Sequence, residues 1–146
     1  MTDQLSQDEL GAYFALIAAG DLLQRAVSSQ LAEHGLTPLQ FSVLATLLES
    51  DGGARMSDIA EALVVSRSGL TYQITQLEKA GLVERSSSAS DSRGVVASLT
   101  PEGRDVILAT FPGHVALVRE KFLSLLSDGE VATIRTALGK VGAALR

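Results

Sequence analysis

The most constraining feature of the sequence is a pair of short amphipathic helices separated by only two residues, Val64 and Val65. We expect Ser57 to cap the first helix and Ser66 to cap the second, because a serine hydroxyl accepts a hydrogen bond from the first helical turn. Apolar residues recur at helical spacing in both: Ile59, Ala60 and Leu63 in the first, and Leu70, Ile74 and Leu77 in the second. A two-residue connection is too short for antiparallel packing, so the spacing predicts a helix-turn-helix.

Helix-start signals predict two further helices upstream of this motif. Ser6 and Glu9 have the spacing of a capping box, and apolar residues then recur every three or four positions, which predicts a long helix over residues 7–33. Gly35 ends this helix. Thr37, followed at once by a proline, starts the next one.

Downstream of the helix pair, the apolar spacing changes to the alternation that is typical of strands. We expect strands over residues 82–85 and 95–99, with a polar loop over residues 86–94 between them. These three segments together predict a β-hairpin with a long tip.

Two more helices are expected after the hairpin. Pro101 begins the first, which runs to about Leu126 and bends at Pro112, because a proline in mid-helix removes one backbone donor. A capping box at Ser127 begins the second, which ends near Leu145.

The order of these elements defines the expected fold class, which is mainly α with a small β-hairpin. A winged helix-turn-helix over about residues 37–100 lies between helical arms over about residues 5–35 and 101–146. We expect residues 1–146 to form a single domain, since this length is enough to bury a core without disulfides or metal.

Composition excludes several classes of site. The chain has two histidines and no cysteine, so we expect no disulfide, no metal site and no cofactor. It has no glycine-rich phosphate loop, nucleophile elbow or two-histidine metal motif, so we do not expect an enzyme. No uncharged run exceeds the 15 residues of segment 34–48, and no basic residue precedes an apolar run at the start of the chain. We therefore expect a cytoplasmic protein without a membrane partner.

The formal net charge of −5 is unevenly distributed along the chain. Six basic and six acidic residues lie between Arg55 and Arg104, so the whole net charge lies outside this central part. The acidic flanks would repel a phosphate backbone and favour contact at the centre. This distribution disfavours tight non-specific binding of nucleic acid but is compatible with specific binding.

The outward face of the second short helix is a candidate DNA-binding surface. Side chains that can reach base edges by hydrogen bonding lie opposite its apolar stripe, and Arg67 at its start can face a phosphate. The outward residues are Ser68, Thr71, Tyr72, Thr75, Gln76 and Lys79. An ordinary solvated helix surface is the alternative interpretation, although such surfaces usually carry more glutamate and lysine than serine and threonine.

Asp91 and Arg93 are candidate functional residues at the tip of the predicted hairpin. An arginine in such a wing can enter a narrow minor groove, and the aspartate can brace the loop by accepting hydrogen bonds. A solvated turn with a weak ion pair is the alternative interpretation.

Several runs of residues, in their order and spacing, resemble the multiple antibiotic resistance regulator (MarR) family. The runs are Leu36-Thr37-Pro38-Leu39-Gln40-Phe41, Ser57-Asp58-Ile59-Ala60-Glu61-Ala62-Leu63, Ser66-Arg67-Ser68-Gly69-Leu70-Thr71, Leu77-Glu78-Lys79-Ala80-Gly81-Leu82-Val83, Asp91-Ser92-Arg93-Gly94, Leu99-Thr100-Pro101-Glu102-Gly103, and Pro112 with His114. No single run is decisive, but the ordered set covers nearly the whole chain.

The resemblance implies a ligand-responsive regulator, expected to be a repressor, that binds double-stranded operator DNA as a homodimer. The terminal helices would form the dimer, and two recognition helices would enter successive major grooves of a palindromic operator. By position, the resemblance assigns DNA contacts to Ser66, Arg67, Ser68 and Thr71 in the helix and to Asp91 and Arg93 in the wing. Tyr72 and Gln76 stand where arginine is common in the family, which predicts weaker binding and a shallower salt dependence.

The resemblance also implies a small aromatic or phenolic effector between the arms and the DNA-binding part. Ring residues on the helices that would enclose it are Tyr13, Phe14, Phe41, Phe111 and His114. Each of these residues could instead fill the core.

Two other functions remain open at the level of sequence. A winged helix could serve only dimerisation or protein contact, which the low basic charge favours, while the polar helix face and the wing pair count against it. A DNA-binding regulator could also lack a ligand and be controlled by its abundance alone.

Overall fold

The structure is a computed structural model that describes residues 3–50, 53–87 and 94–146. Its elements in chain order are α1 Gln7–Ala32, α2 Pro38–Glu49, β1 Ala54–Arg55, α3 Met56–Leu63, α4 Arg67–Lys79, β2 Val83–Ser87, β3 Val95–Leu99, α5 Pro101–Lys121, a 3₁₀ turn at Leu123–Leu125, and α6 Asp128–Leu145. The predicted fold class, mainly α with a small β component, is confirmed.

Three of the helices begin at the capping boxes that the sequence predicts. At Ser6, Thr37 and Ser127, the cap hydroxyl accepts a hydrogen bond of 3.1 Å from the backbone N–H three residues on. The side chain of that third residue accepts from the backbone N–H of the cap in return. Two hydrogen bonds from Ser127 lower the pKa of Glu130 below its ordinary value, and the bond from the Ser127 backbone has a larger effect than the bond from its side chain.

Two predicted helix boundaries are wrong. Ser57 lies within α3 and does not cap it, because Arg55 holds the cap position in an extended conformation that continues β1, with no side-chain cap hydrogen bond. The helix predicted to reach Leu126 ends at Lys121, since the backbone of Phe122 leaves the helical region (φ −131°, ψ −67°) before the 3₁₀ turn.

The small sheet has three antiparallel strands in the order β1-β3-β2, one strand more than the predicted hairpin. Ala97 in the central strand pairs with Ala54 on one side and with Arg85 on the other. The additional strand joins the start of α3 to the hairpin, and α2 packs against α3, α4 and β3. The helix-turn-helix, the sheet and α2 therefore form one packed unit, which we call the lobe.

Nearly all of the buried core belongs to the lobe, together with the segment that leads into α2. The buried apolar residues there are Leu36, Phe41, Val43, Leu44, Leu47, Ile59, Ala60, Leu70, Ile74, Leu77, Val83 and Ala97. Leu31 of α1 and Ile107 of α5 complete this cluster from the arms. By contrast, no residue of α6 is buried within the chain.

A tight junction connects the end of α4 to the start of α5. The Thr100 hydroxyl donates to the carbonyl of Gly81 at 2.6 Å, and the Thr100 N–H donates to the carbonyl of Leu82 at 3.1 Å. Gly103 lies so close to this turn that a Cβ there would be 1.9 Å from the Leu82 carbonyl oxygen. We call these four residues the α4–α5 junction.

The helical arms expose an unusual amount of apolar surface. The exposed large apolar residues of α1, the 3₁₀ turn and α6 are Leu10, Tyr13, Phe14, Leu16, Ile17, Leu22, Leu123, Leu125, Leu138, Val141 and Leu145. Among the helices of the described residues, α1 alone has the length and apolarity of a membrane span. One such helix is weak evidence for a span, and it carries an Asp21–Arg25 ion pair of 2.7 Å on its surface.

Candidate nucleic-acid interface

Helix α4 is held by one face, which fixes the direction of the other. Ser66 caps it by accepting a 3.0 Å hydrogen bond from the N–H of Gly69, as predicted. Leu70, Ile74 and Leu77 are buried against the lobe core. At 100° per residue, this anchoring turns the predicted polar residues away from the core.

The structure brings the predicted helix residues together on the outward face of α4, at different depths. Ser66, Arg67, Ser68, Thr71 and Tyr72 are exposed, while Thr75 and Gln76 are half-buried. Tyr72 projects most strongly among the large apolar side chains of this helix, with 61% of its surface exposed. The first two turns of α4 are therefore the accessible part of the surface.

The threonine hydroxyls of α4 already donate within the helix. Thr71 donates to the carbonyl of Arg67, and Thr75 donates to the carbonyl of Thr71, each at 2.8 Å. A hydroxyl has one proton and two lone pairs, so each oxygen can still accept a hydrogen bond. Thr71 thus presents an acceptor and a methyl group to the outside.

Two arginines next to this face were missed in the sequence. Arg55 at the start of α3 and Arg85 on β2 line one cleft of about 410 Å³ with Arg67, and Thr71 lies on its wall. No local pattern marks Arg55 or Arg85 as partners of α4, because the three-stranded sheet brings them there. The cleft places the Arg67 side chain beside the polar helix face, where it can meet a phosphate.

Arg85 is paired within the protein. Its Nη2 lies 2.6 Å from Oε1 of Glu78 and donates to the Thr75 hydroxyl oxygen at 3.4 Å. Both partners belong to α4, so this arginine joins the sheet to the recognition helix.

Asp91 and Arg93, the predicted wing pair, lie outside the described residues. The strands that lead to the tip are described up to Ser87 on one side and from Gly94 on the other. The assignment of the pair to DNA contact stays a prediction.

Three of the five predicted ligand residues form a ring cluster between α2 and α5. Phe41 packs edge-on against Phe111 with ring centroids 5.5 Å apart, and against His114 at 4.5 Å. Tyr13 and Phe14 contact each other at 5.8 Å on the exposed first half of α1. The structure does not bring them to the cluster within one protomer.

A glutamine that the sequence did not point to lies beside this cluster. The side chain of Gln30 in α1 crosses α5 at Gly113, where a Cβ would lie 2.8 Å from the amide nitrogen Nε2. Oε1 of Gln30 and Nδ1 of His114 are both buried and have no hydrogen-bond partner among the described residues. Buried polar atoms are normally paired, so one unused hydrogen-bonding position lies in this cluster and a second lies at Gly113, the residue before His114 in α5.

Known proteins resemble both the sequence and the fold. The family model described as "MarR family" matches residues 34–94. The crystal structure of AbsC, a MarR family transcriptional regulator from Streptomyces coelicolor, is 36% identical, covers 99% of both chains and superposes with a TM-score of 0.96. The chain belongs to the MarR family. It is accordingly a winged helix-turn-helix transcription regulator that binds DNA, and nothing in these likenesses indicates an enzyme.

Two further relatives of this MarR-family regulator bear on the site. Sco3205 from Streptomyces coelicolor, a MarR family regulator solved in complex with DNA, is 31% identical over 98% of this chain and 94% of its own, with a TM-score of 0.94. The transcriptional repressor MdtR of Bacillus subtilis is 31% identical over 88% of this chain and 80% of its own length.

Proposed function

We propose that this regulator is a repressor that binds a palindromic operator as a homodimer and is released by a small aromatic effector. The observation that supports operator binding best is the outward face of α4, which exposes polar side chains while the opposite face of the helix is buried in the core. The likeness to Sco3205, which was solved in complex with DNA, supports DNA binding by this fold. The likeness to the repressor MdtR supports repression.

Base readout is assigned to the first two turns of α4. Thr71 presents an acceptor oxygen and a methyl group, which suit an exocyclic amino group of adenine or cytosine and the methyl group of thymine. Ser66, Arg67 and Ser68 lie at the helix start, where backbone N–H groups and the arginine favour phosphate. Tyr72, Thr75 and Gln76 flank this region, and Asp91 with Arg93 would act from the wing.

The homodimer is supported by the unpartnered apolar surface of the arms. An apolar groove of about 730 Å³ runs between α1 and α6, with Leu16, Leu23, Phe122, Ile134 and Leu138 among its lining residues. Monomeric proteins rarely leave such a surface open to water. We assign residues 5–35 and 101–146 to the dimer arms and residues 37–100 to the DNA-binding lobe of one domain. A two-fold axis between identical lobes then requires a palindromic operator.

The effector site is assigned to the ring cluster. Phe41, Phe111 and His114 offer ring faces and edges, and the unpaired atoms of Gln30 and His114 offer an acceptor and a second polar position. A phenol can donate to the Gln30 oxygen while its ring lies among the aromatic residues. Tyr13 and Phe14 are about 24 Å along the α1 axis from Gln30, so they could reach an effector only from the partner subunit.

A salt-titrated binding assay tests operator binding, with DNA upstream of the regulator's own gene and random DNA of equal length. We expect tight binding of a dimer to the first and weak binding to the second. Arg93→Ala should lower the slope of log affinity against log salt by about one per protomer. Arg25→Ala, which removes one charge from the arm, is the matched control and should leave the slope unchanged.

A second variant tests base readout. Thr71→Ala should change the preferred sequence more than the affinity for random DNA, because a base contact carries sequence information and a phosphate contact does not. Equal losses on both DNAs would contradict base readout by this threonine.

Effector release is tested with a panel of simple phenols and phenolic acids. One or more should dissociate the operator complex of the wild type, and Gln30→Leu should bind operator normally but resist release. Release that is unchanged in Gln30→Leu would place the effector elsewhere, and no release by any member would favour control by abundance.

One observation favours a second candidate function. The net charge of −5 suits a winged helix that dimerises and contacts proteins without specific DNA binding. Equal, weak binding to upstream and random DNA by a stable dimer is the result that this alternative predicts.

A further inference from the structure

Arg85 occupies a position from which it joins the wing sheet to the recognition helix. Its guanidinium Nη2 is 2.6 Å from Oε1 of Glu78 and 3.4 Å from Oγ1 of Thr75. About a third of each ion-pair side chain is exposed (33% for Arg85 and 30% for Glu78), so the pair is sheltered from full solvent screening. This ion pair connects β2 to the C-terminal half of α4.

The backbone on both sides of this connection is fixed. Arg85 pairs across the sheet with Ala97, which is completely buried. On the helix side, Ile74 and Leu77 are buried next to Thr75 and Glu78. The guanidinium therefore joins two rigid elements whose remaining freedom is a change of angle between them.

In the hydrogen bonds around Arg85, every donor faces an acceptor. The Thr75 hydroxyl proton goes to the Thr71 carbonyl, so its oxygen is left to accept from Arg85. The Glu78 carboxylate neutralises the guanidinium charge at the same time. Arg85 is consequently engaged inside the protein and contributes little net positive charge to the surface that faces DNA.

We propose that Arg85 is a positioning residue for DNA recognition, which rests on the operator binding proposed above. Through Glu78 and Thr75 it fixes the angle between α4 and the wing, so that the helix and the wing tip reach their two grooves together. Both contacts come from Nη2, whose two N–H groups have directions fixed by the planar guanidinium. The three donors of a lysine ammonium rotate freely about their bond and do not hold two acceptors in a fixed geometry. Arg85 acts on DNA through these two residues and not as a phosphate ligand.

Three variants and one matched control test this role with the dimer on upstream and random DNA. Arg85→Lys keeps the charge and loses the fixed donor directions of the guanidinium, so we expect operator affinity to fall at least tenfold while random-DNA affinity stays the same. Glu78→Gln should also reduce operator preference, although it releases a positive charge that tightens binding to random DNA and steepens its salt dependence. Glu84→Gln is the matched control, because the neighbouring residue points to the other face of the sheet, and it should keep the wild-type preference.

A measurement without DNA checks the connection itself. In NMR spectra of the free dimer, the Arg85 side-chain N–H signals should show hindered rotation in the wild type and free rotation in Glu78→Gln. Free rotation in the wild type would overturn the proposal, as would Arg85→Lys with wild-type operator preference. Equal loss on both DNAs in Arg85→Gln, with a shallower salt slope, would instead identify a direct phosphate contact. If the wild type shows no operator preference, both the proposed function and the positioning role of Arg85 are overturned. If the wild type prefers the operator and the variants behave like it, only the positioning role is overturned.

Discussion

Replacing Gly103 by alanine should destabilise the protein through the α4–α5 junction. The new methyl group would lie 1.9 Å from the Leu82 carbonyl oxygen, so the two must separate by more than an ångström to reach the 3.0 Å that real contacts rarely go below. Overpacking of this kind costs about 1–3 kcal/mol. The displaced carbonyl also weakens the 3.1 Å hydrogen bond from the Thr100 N–H, which is worth about 1 kcal/mol.

The higher helix propensity of alanine offsets about 1 kcal/mol of this loss, so the free energy of unfolding should fall by about 2 kcal/mol. Urea unfolding at one fixed protomer concentration measures it, because dissociation and unfolding are linked in a dimer. With a slope of about 2 kcal/mol/M, the midpoint should fall by about 1 M.

Gly129→Ala is the matched control for this measurement. A methyl group at Gly129 meets only the Ser127 hydroxyl, at an ordinary 3.9 Å. We expect its midpoint to stay constant or rise slightly. If Gly103→Ala and Gly129→Ala have equal midpoints, the junction is not closely packed and the reasoning is refuted.

Three other substitutions have defined expected outcomes. Val64 is a β-branched residue in the left-handed region (φ +56°), and its side chain is 60% exposed. Val64→Gly should therefore raise the free energy of unfolding by up to about 1 kcal/mol, measured from the urea midpoint at constant slope. The pKa of Glu130 is lowered, so its stabilising contribution is present above the ordinary glutamate pKa and lost as pH falls through the lowered value. Glu130→Gln should therefore flatten the acid limb of a stability–pH curve, and an unchanged limb would contradict the cap assignment. Thr110 is fully buried, and its hydroxyl donates to the Val106 carbonyl of its own helix at 2.7 Å. Thr110→Val should therefore change the free energy of unfolding by less than about 1 kcal/mol in thermal unfolding. A larger loss would indicate a further hydrogen-bond partner of the hydroxyl.

The helix starts could be predicted because their signals are local. A cap at Ser6, Thr37 or Ser127 depends on residues no more than three positions away, and all three occur in the structure. The error at Ser57 has a long-range cause. Arg55 is extended because β1 pairs with β3, a strand some forty residues further along the chain, and a two-residue strand has no periodicity to detect.

The part of the candidate site that depends on local spacing was predictable, and the part that depends on contacts between elements was not. The outward face of α4 follows from helical spacing, since Leu70, Ile74 and Leu77 fix the buried side. The pairing of Arg85 with Glu78 crosses a turn and depends on how the sheet meets the helix. Such contacts between elements leave no repeat in the sequence, and the same holds for the approach of Gln30 to α5.

The largely uncharged outward face of α4 has a consequence for how the regulator searches for its operator. Non-specific affinity grows with each phosphate that a protein neutralises, and a genome offers about 10⁶–10⁹ competing sites. A surface of hydroxyl and amide groups beside an internally paired Arg85 holds these sites weakly, so a larger share of dimers stays free in solution. Operators would then be reached mainly by repeated three-dimensional encounters and less by sliding along the duplex, and occupancy would follow the number of dimers in the cell closely.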